Sequence, residues 1–204
     1  MSEGADVLQW WWIRHAPAAG KGSVIHGTND APADLTDIRS LQHVADLLPT
    51  DAVALTSAVT RARQTYAALR QANPALPAAD IDSDLNEQDF GDWTGRTWDQ
   101  LAVDAADFWK DPLSSAPPHG ESYAAMSARV QRGIIARAAK LRRGSLIVVS
   151  HAGPIRAALA LALDLTPVAS MRFEIGCLSI TRIESLIVDG GPAWRIREVG
   201  AKSR

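Results

Sequence analysis

Two dipeptides far apart in the chain, Arg14-His15 and Ser150-His151, each place a histidine directly after an apolar run, and Ser57 is followed by Arg61 and Arg63. Imidazole exchanges a proton near neutrality. The planar fork of arginine gives two hydrogen bonds to neighbouring oxygens, in charge-assisted pairs roughly twice as strong as neutral ones. Brought together, these groups make a cationic site for an oxyanion, and a phosphomonoester is the natural ligand. Ala152-Gly153-Pro154 follows His151, and a helix opening there adds free N–H groups and a dipole that favour the same charge. A histidine ending an aromatic run is as often a core residue donating to a carbonyl. Arg14 beside it and the distant partners tip His15 toward chemistry.

The elements that must gather these residues are legible in the apolar periodicity. Val7–Ile13, Ala52–Ser57 and Leu146–Ser150 are short apolar runs of strand length, each ending in polar residues. Between them lie helical patterns at Asp37–Leu48, Thr60–Ala72 and from about Glu121 to Arg143, the last stopped by Gly144. A further apolar helix runs from Gly153-Pro154 to Leu163, with Pro154 suited to the first turn. Arg172–Ile183, Leu186–Val188 and Trp194–Val199 read as strands, with Asp189-Gly190-Gly191 turning between the last two. Asn73–Asp80 and Lys110–Gly120 read as loops; for the second, a substrate-facing lid and a plain surface crossover both stay open. The alternation predicts an α/β fold: a single three-layer domain over residues 1–204, a mainly parallel sheet with helices on both faces, and late strands added antiparallel. In such sheets ligands sit beyond the carboxyl ends of the strands, where Arg14-His15, Ser57 and Ser150-His151 all fall.

Five motifs in order, Arg14-His15-Ala16-Pro17, Ser57-x-x-x-Arg61-Ala62-Arg63-Gln64-Thr65, Leu85-x-Glu87-x-Asp89-Phe90-Gly91-x-Trp93-x-Gly95, Gly120-Glu121-Ser122 and Ser150-His151-Ala152-Gly153, resemble the histidine phosphatase superfamily across almost the whole chain. The sequence is most similar to its small α-ribazole phosphatase-like branch. The resemblance implies that His15 is the nucleophile, that Arg14, Arg61 and His151 bind the phosphoryl oxygens and stabilise the transition state, and that Glu87 is the acid. A carboxyl beside negative phosphate is disfavoured as an anion, so Glu87 donates to the leaving oxygen and then helps activate water. The outcome is ping-pong hydrolysis of a small phosphorylated substrate, with no cofactor and no metal required. Phosphoglycerate mutase-type transfer and a non-catalytic phosphate-binding module are the alternatives, and intact His15 and Glu87 favour hydrolysis.

The departures from the family pattern are local. Ala16-Pro17 stands where Gly and Glu are common, and Lys21 where a polar residue follows the nucleophile by six positions. A modified first loop follows, with Lys21, His26 and Gly27 lining the phosphate pocket or its entrance. Thr94 replaces a common acidic residue. Ala152 replaces a common Gly at the substrate-binding turn, and its small side chain still permits close approach.

Outside these motifs the readings are plainer. Arg63 falls at the surface or the substrate rim, Asp89 is a turn residue, His43 is solvated, and His119 sits in a Pro-rich loop. Trp10 and Trp12 face one side of the sheet and Trp11 the other, as core packing. Cys177 is expected to be a buried, inert thiol in the strand from Arg172. A cysteine phosphatase needs an arginine six residues on, where Ile183 stands. Gly20-Lys21 is followed by Gly22 and preceded at the glycine position by His15, so it is no P-loop, and no His-Glu-x-x-His motif occurs. With 21 basic and 23 acidic residues the net charge is −2, which gives no global attraction to nucleic acid or anionic membrane. Val7 to Ile13 is far short of the roughly 20 residues that a spanning helix needs, and Glu3 and Asp6 precede it where a secretory signal carries basic residues. The expected compartment is the cytoplasm, with association into a homo-oligomer left open.

Overall fold

The computed structural model describes residues 6–20, 24–188 and 191–202. A six-stranded sheet has the order β3-β2-β4-β1-β5-β6. β1 (Val7–Arg14), β2 (Ala52–Thr56), β3 (Ala79–Ile81) and β4 (Gly144–Ser150) are parallel, with β4 between β1 and β2. β5 (Ile180–Val188) pairs antiparallel with β1 and then with β6 (Gly191–Ala201). Parallel neighbours need a crossover between them, and the helices supply it, whereas a short turn is enough for the last pair.

Period two along β1 and β4 splits their side chains between two apolar layers. Ile13, Ile147 and Val149 meet Leu41, Val44 and Ala45 of α1 (Ile38–Leu47) and Ala62 and Leu69 of α2 (Thr60–Ala72). Trp10, Trp12, Leu146 and Val148 meet Met126, Val130 and Ile134 of α3 (Tyr123–Leu141) and Ile155 and Leu159 of α4 (Ala152–Leu163) on the opposite face. This is the predicted three-layer arrangement. Trp10 and Trp12 stack at 5.9 Å, and Trp11, on the other face, carries the Arg182 guanidinium 4.0 Å from its ring. A third, smaller cluster of Ile25, Trp93, Leu101, Ala105 and Phe108 lies under the excursion between β3 and α3. Among the described residues no helix is long and apolar enough to cross a membrane.

Four local expectations are corrected. Asn73–Asp80 is not wholly a loop: Ala79–Ile81 forms the edge strand β3, too short for period two to show. Arg172–Ile183 is not one strand. The chain leaves the four-residue α5 (Pro167–Ser170) and wraps over the end of β1, where Leu178 N–H donates to Arg14 O (3.0 Å) and Arg14 N–H to Ser179 O (3.2 Å). Ile175 and Leu178 are buried as anchors of a loop, so their apolar character mimics a strand. Leu186–Val188 belongs to β5, and β5 and β6 pair as far as Val188 and Gly191; Asp189 and Gly190 of the predicted turn lie outside the described residues. Gly144 does not stop α3 either. Arg142 takes a positive φ (56) after Leu141, and Gly144 (φ 103) opens β4.

Candidate active site

The carboxyl ends of β1, β2 and β4 converge. His15 N–H donates to Ser150 O (2.9 Å) and Ser57 N–H to Val149 O (3.0 Å), so each polar residue is fixed by the last rungs of the ladder. His15, Arg61 and His151 are 5%, 2% and 0% exposed, and the two imidazole rings lie 4.8 Å apart.

The partners of each ring determine where its proton sits. Ala16 O, which can only accept, lies 2.5 Å from His15 Nδ1, so Nδ1–H donates to it. Arg61 Nε–H, which can only donate, reaches His15 Nε2 at 3.1 Å. Nε2 therefore carries a lone pair. Arg61 Nη2 likewise donates to His151 Nδ1 (3.2 Å), which leaves His151 Nε2–H to donate to Ser57 Oγ (2.7 Å). The same guanidinium ties down the turn after the first loop, through Nη2 to Gly27 O (2.6 Å) and Nη1 to Asn29 O (3.2 Å). Arg14 donates from Nη1 to Ile175 O (2.6 Å), and its buried Nε has no protein partner among the described residues.

Burial, and then the charge of Arg61, lowers the His15 pKa to about 3 against the pull of the Ala16 carbonyl, with Arg14 and His26 adding to the fall. Burial, then His15, Arg61, Arg14 and Arg129 hold His151 well below the usual imidazole range. Both rings are neutral in the fold. Unfolded, they take up protons below pH 6.5, so stability is full above that value and is lost as pH falls toward about 3 for His15. The slope is about 1.4 kcal/mol per pH unit for each imidazole. Urea midpoints measured from neutral to mildly acid pH should show this, with a shallower slope in His15→Asn; an unchanged slope in that variant contradicts the buried neutral ring.

Glu87 approaches from the excursion between β3 and α3. Its Oε1 accepts from Gln88 N–H (3.1 Å) and its Oε2 from Gly153 N–H (3.4 Å) in the first turn of α4. An amide that the sequence reading reserved for phosphate is thus engaged by a carboxylate. A Cβ on Gly153 would overlap Glu87 Oε1 and come within 2.9 Å of Met126 Cε, both ends of flexible side chains. Gly153→Ala is therefore expected to leave the unfolding midpoint unchanged or slightly raised, since alanine favours helix by up to about 1 kcal/mol, while displacing the carboxyl. Activity should fall with no loss of stability; parallel loss of both would show a packing defect instead.

A cavity of about 350 Å³ opens over these groups. Arg14, His15, His26, Gly27, Arg61 and Glu87 form its polar side, and Val24, Ile25, Phe90 and Trp98 an apolar wall, with Pro17, Ala18 and Cys177 at its margin. That volume suits a small molecule. Of the residues expected at the site, Lys21 lies outside the described residues. Ala152 begins α4 and is 9% exposed but does not line the cavity. His151 is fully buried against the His15 ring and does not line the cavity either; its nitrogens are taken up by Arg61 and Ser57. Arg63 points to solvent, bonded to Thr60 Oγ1 (3.1 Å), and His119 pairs on the surface with Asp92 (3.0 Å). No residue of Lys110–Gly120 lines the cavity, so the lid position is not filled by that loop.

Phe90 was missed as a wall residue, although it falls within the Leu85–Gly95 motif; Trp98, for which the loop after Glu87 suggested either packing or a place near the site, is the second wall residue. Cys177 was expected in a buried strand and instead borders the cavity from the loop over β1, half-buried. Among the described residues, no three His, Cys, Asp or Glu side chains are grouped to hold a metal.

Residues 10–197 match the histidine phosphatase superfamily (branch 1). A bifunctional protein of Mycobacterium tuberculosis (strain H37Rv) is 33% identical over 119 residues, 57% of this chain and 32% of that protein, so the match spans about a third of that relative's length. The adenosylcobalamin/alpha-ribazole phosphatase of Escherichia coli (strain K12) is 31% identical over 182 residues, 84% of this chain and 88% of that one. The structure of the alpha-ribazole phosphatase from Shigella flexneri superposes with a TM-score of 0.78 over 95% of this chain and 96% of that one, at 24% identity, which shows the shared fold.

Proposed function

The chain belongs to the histidine phosphatase superfamily (branch 1), and from that membership and the cavity's geometry we propose that it hydrolyses small phosphomonoesters through a phosphohistidine on His15. The observation that carries this is His15 Nε2, a neutral lone pair at the floor of a cationic cavity, with its ring held by Ala16 O on the far nitrogen. Arg14 and Arg61 attract the phosphoryl oxygens. Arg61 Nε–H passes from His15 Nε2 to a phosphoryl oxygen, which frees the Nε2 lone pair; Nε2 attacks phosphorus, the N–P bond forms and the ester P–O bond breaks, and the leaving oxygen takes a proton from Glu87. Positive charge developing on the ring strengthens the Nδ1–H bond to Ala16 O. In the second step Glu87 takes a proton from water, the hydroxyl attacks phosphorus, the N–P bond breaks and inorganic phosphate leaves. His15 returns neutral.

His151 supports this reading as a partner of Arg61 and Ser57 against the nucleophile's ring, and His26 and Gly27 as part of the cavity's entrance. The apolar wall of Phe90 and Trp98 faces the cavity and gives the organic part of the ester a surface to leave water for. Residues 10–197 act as one catalytic unit on this view.

The test is hydrolysis of p-nitrophenyl phosphate in EDTA with an alcohol added as a competing acceptor, together with acid-labile phosphate mapped on quenched enzyme. A common phosphohistidine gives the same ratio of inorganic phosphate to alkyl phosphate from every aryl ester, and label on His15. A ratio that changes with the leaving group, or label on another residue, overturns the proposal.

A further inference from the structure

Gly120-Glu121-Ser122 contributes no side chain to the catalytic cavity. It does grip the loop that carries Glu87. Glu121 N–H donates to Asp89 O (2.9 Å), Asp89 N–H donates back to Glu121 Oε1 (3.2 Å), and Gln88 Nε2 donates to Glu121 O (2.8 Å). Two turns along α3, Arg129 donates from Nη2 to the same Oε1 (2.5 Å) and from Nη1 to the carbonyls of Ser83 (3.3 Å), Asp84 (2.8 Å) and Asn86 (3.3 Å). The two backbones are in contact: a Cβ on Gly120 would lie 2.5 Å from Asp89 O, and one on Gly91 would overlap Pro118 O.

Glu87 is thus bracketed. The guanidinium holds the carbonyls before it, including that of its neighbour Asn86, and the Glu121 carboxylate and backbone hold the two residues after it. The loop has only single turns of 3-10 helix to stiffen it, and the Glu87 carboxylate's own bonds are two backbone amides at 3.1 and 3.4 Å. We propose that the Glu121–Arg129 pair is a positioning device that fixes the Glu87 carboxyl for proton transfer to the leaving oxygen. The inference rests on Glu87 being the acid. Arg129 touches no reacting atom, and its effect passes through the loop.

An alkoxide must be protonated as it leaves, whereas p-nitrophenolate leaves with little help, so a displaced acid penalises the two esters unequally. kcat/KM, which reports formation of the phosphohistidine, is measured for glycerol phosphate and p-nitrophenyl phosphate in Arg129→Ala, Arg129→Lys and Glu121→Gln, below each variant's unfolding midpoint. Glycerol phosphate turnover should fall on the order of 10²-fold, as small misplacements of reacting groups do, and p-nitrophenyl phosphate turnover at least about tenfold less. Arg129→Lys keeps the charge without the fork and should behave like Arg129→Ala. In a Glu87→Gln background Arg129→Ala should add little further loss on glycerol phosphate.

Equal losses on both esters, wild-type behaviour of Arg129→Lys, or a further full loss on top of Glu87→Gln overturns the positioning role while leaving Glu87 as the acid. If Glu87→Gln by itself affects both esters equally, the acid reading fails and this inference falls with it.

Discussion

His15→Ala should lower kcat/KM on p-nitrophenyl phosphate by about 10⁴-fold or more, the scale seen when a nucleophile is removed from a preorganised site, and should abolish acid-labile bound phosphate. The loss follows from one atom. Nε2 carries the lone pair on the cavity floor that Arg61 and Ala16 O together orient; among the described residues the other imidazole lining the cavity is His26, and His151 is buried with both nitrogens engaged. Arg14 and Arg61 stay in place, so inorganic phosphate should still bind the variant in calorimetry. Turnover retained to within about tenfold, well short of what losing a nucleophile costs, would remove His15 from the chemistry. Loss of both turnover and phosphate binding would instead point to a collapsed pocket.

Arg61→Ala should cost both activity and stability. The side chain is 2% exposed and makes four hydrogen bonds, to His15, His151, Gly27 O and Asn29 O. Removing it strands acceptors at roughly 1–3 kcal/mol each where they stay buried, and removes the cation proposed to stabilise the phosphoryl transition state, worth about 10³-fold by analogy with other positioned arginines. The pH profile carries a second signature. After burial, Arg61 is the strongest influence holding down the His15 pKa of about 3. Without it His15 takes a proton at higher pH, so the acid limb of kcat/KM should move upward in pH. Arg61→Lys restores charge but cannot make all four bonds, and should recover only part of each effect. An Arg61→Ala enzyme with the wild-type unfolding midpoint and acid limb would falsify the role of this residue as the tie between the two histidines.

The sheet and its layers were legible because their signals are local. Val7–Ile13 and Leu146–Ser150 are apolar runs that only a strand covered on both faces can bury, and Thr60–Ala72 has the helical period along its whole length. β3 was not legible: three residues, two of them exposed, pair at an edge without any periodicity of their own. The stretch before β5 failed for the opposite reason. Ile175 and Leu178 are apolar because they anchor a loop over β1, and burial of a loop reads like burial of a strand. That loop carries Cys177 to the margin of the cavity, where the strand assignment would have hidden it.

The site divides in the same way. His15 and Arg14 could be found because they end a strand, and strand ends in an open α/β sheet are where ligands bind. Glu87 needed the resemblance, since a carboxylate in an irregular loop has no pattern. The wall of Phe90 and Trp98 and the docking of Glu121 and Arg129 onto the Glu87 loop depend on contacts between irregular segments, which no local period encodes.

By itself, the sequence determined the α/β layering, the gathering of Arg14, His15, Ser57, Arg61 and His151 at one sheet edge, and the cationic character of what they form. Residue type, apolar period and position at a strand's end are properties of short stretches of chain. Only the tertiary structure decided that His15 and His151 are neutral, which nitrogen of each is unprotonated, that Gly153 yields its amide to Glu87, and that no residue of the Lys110–Gly120 loop lines the cavity. Each of these depends on how deeply a group is buried and which partner, often more than thirty residues away, arrives within hydrogen-bond distance.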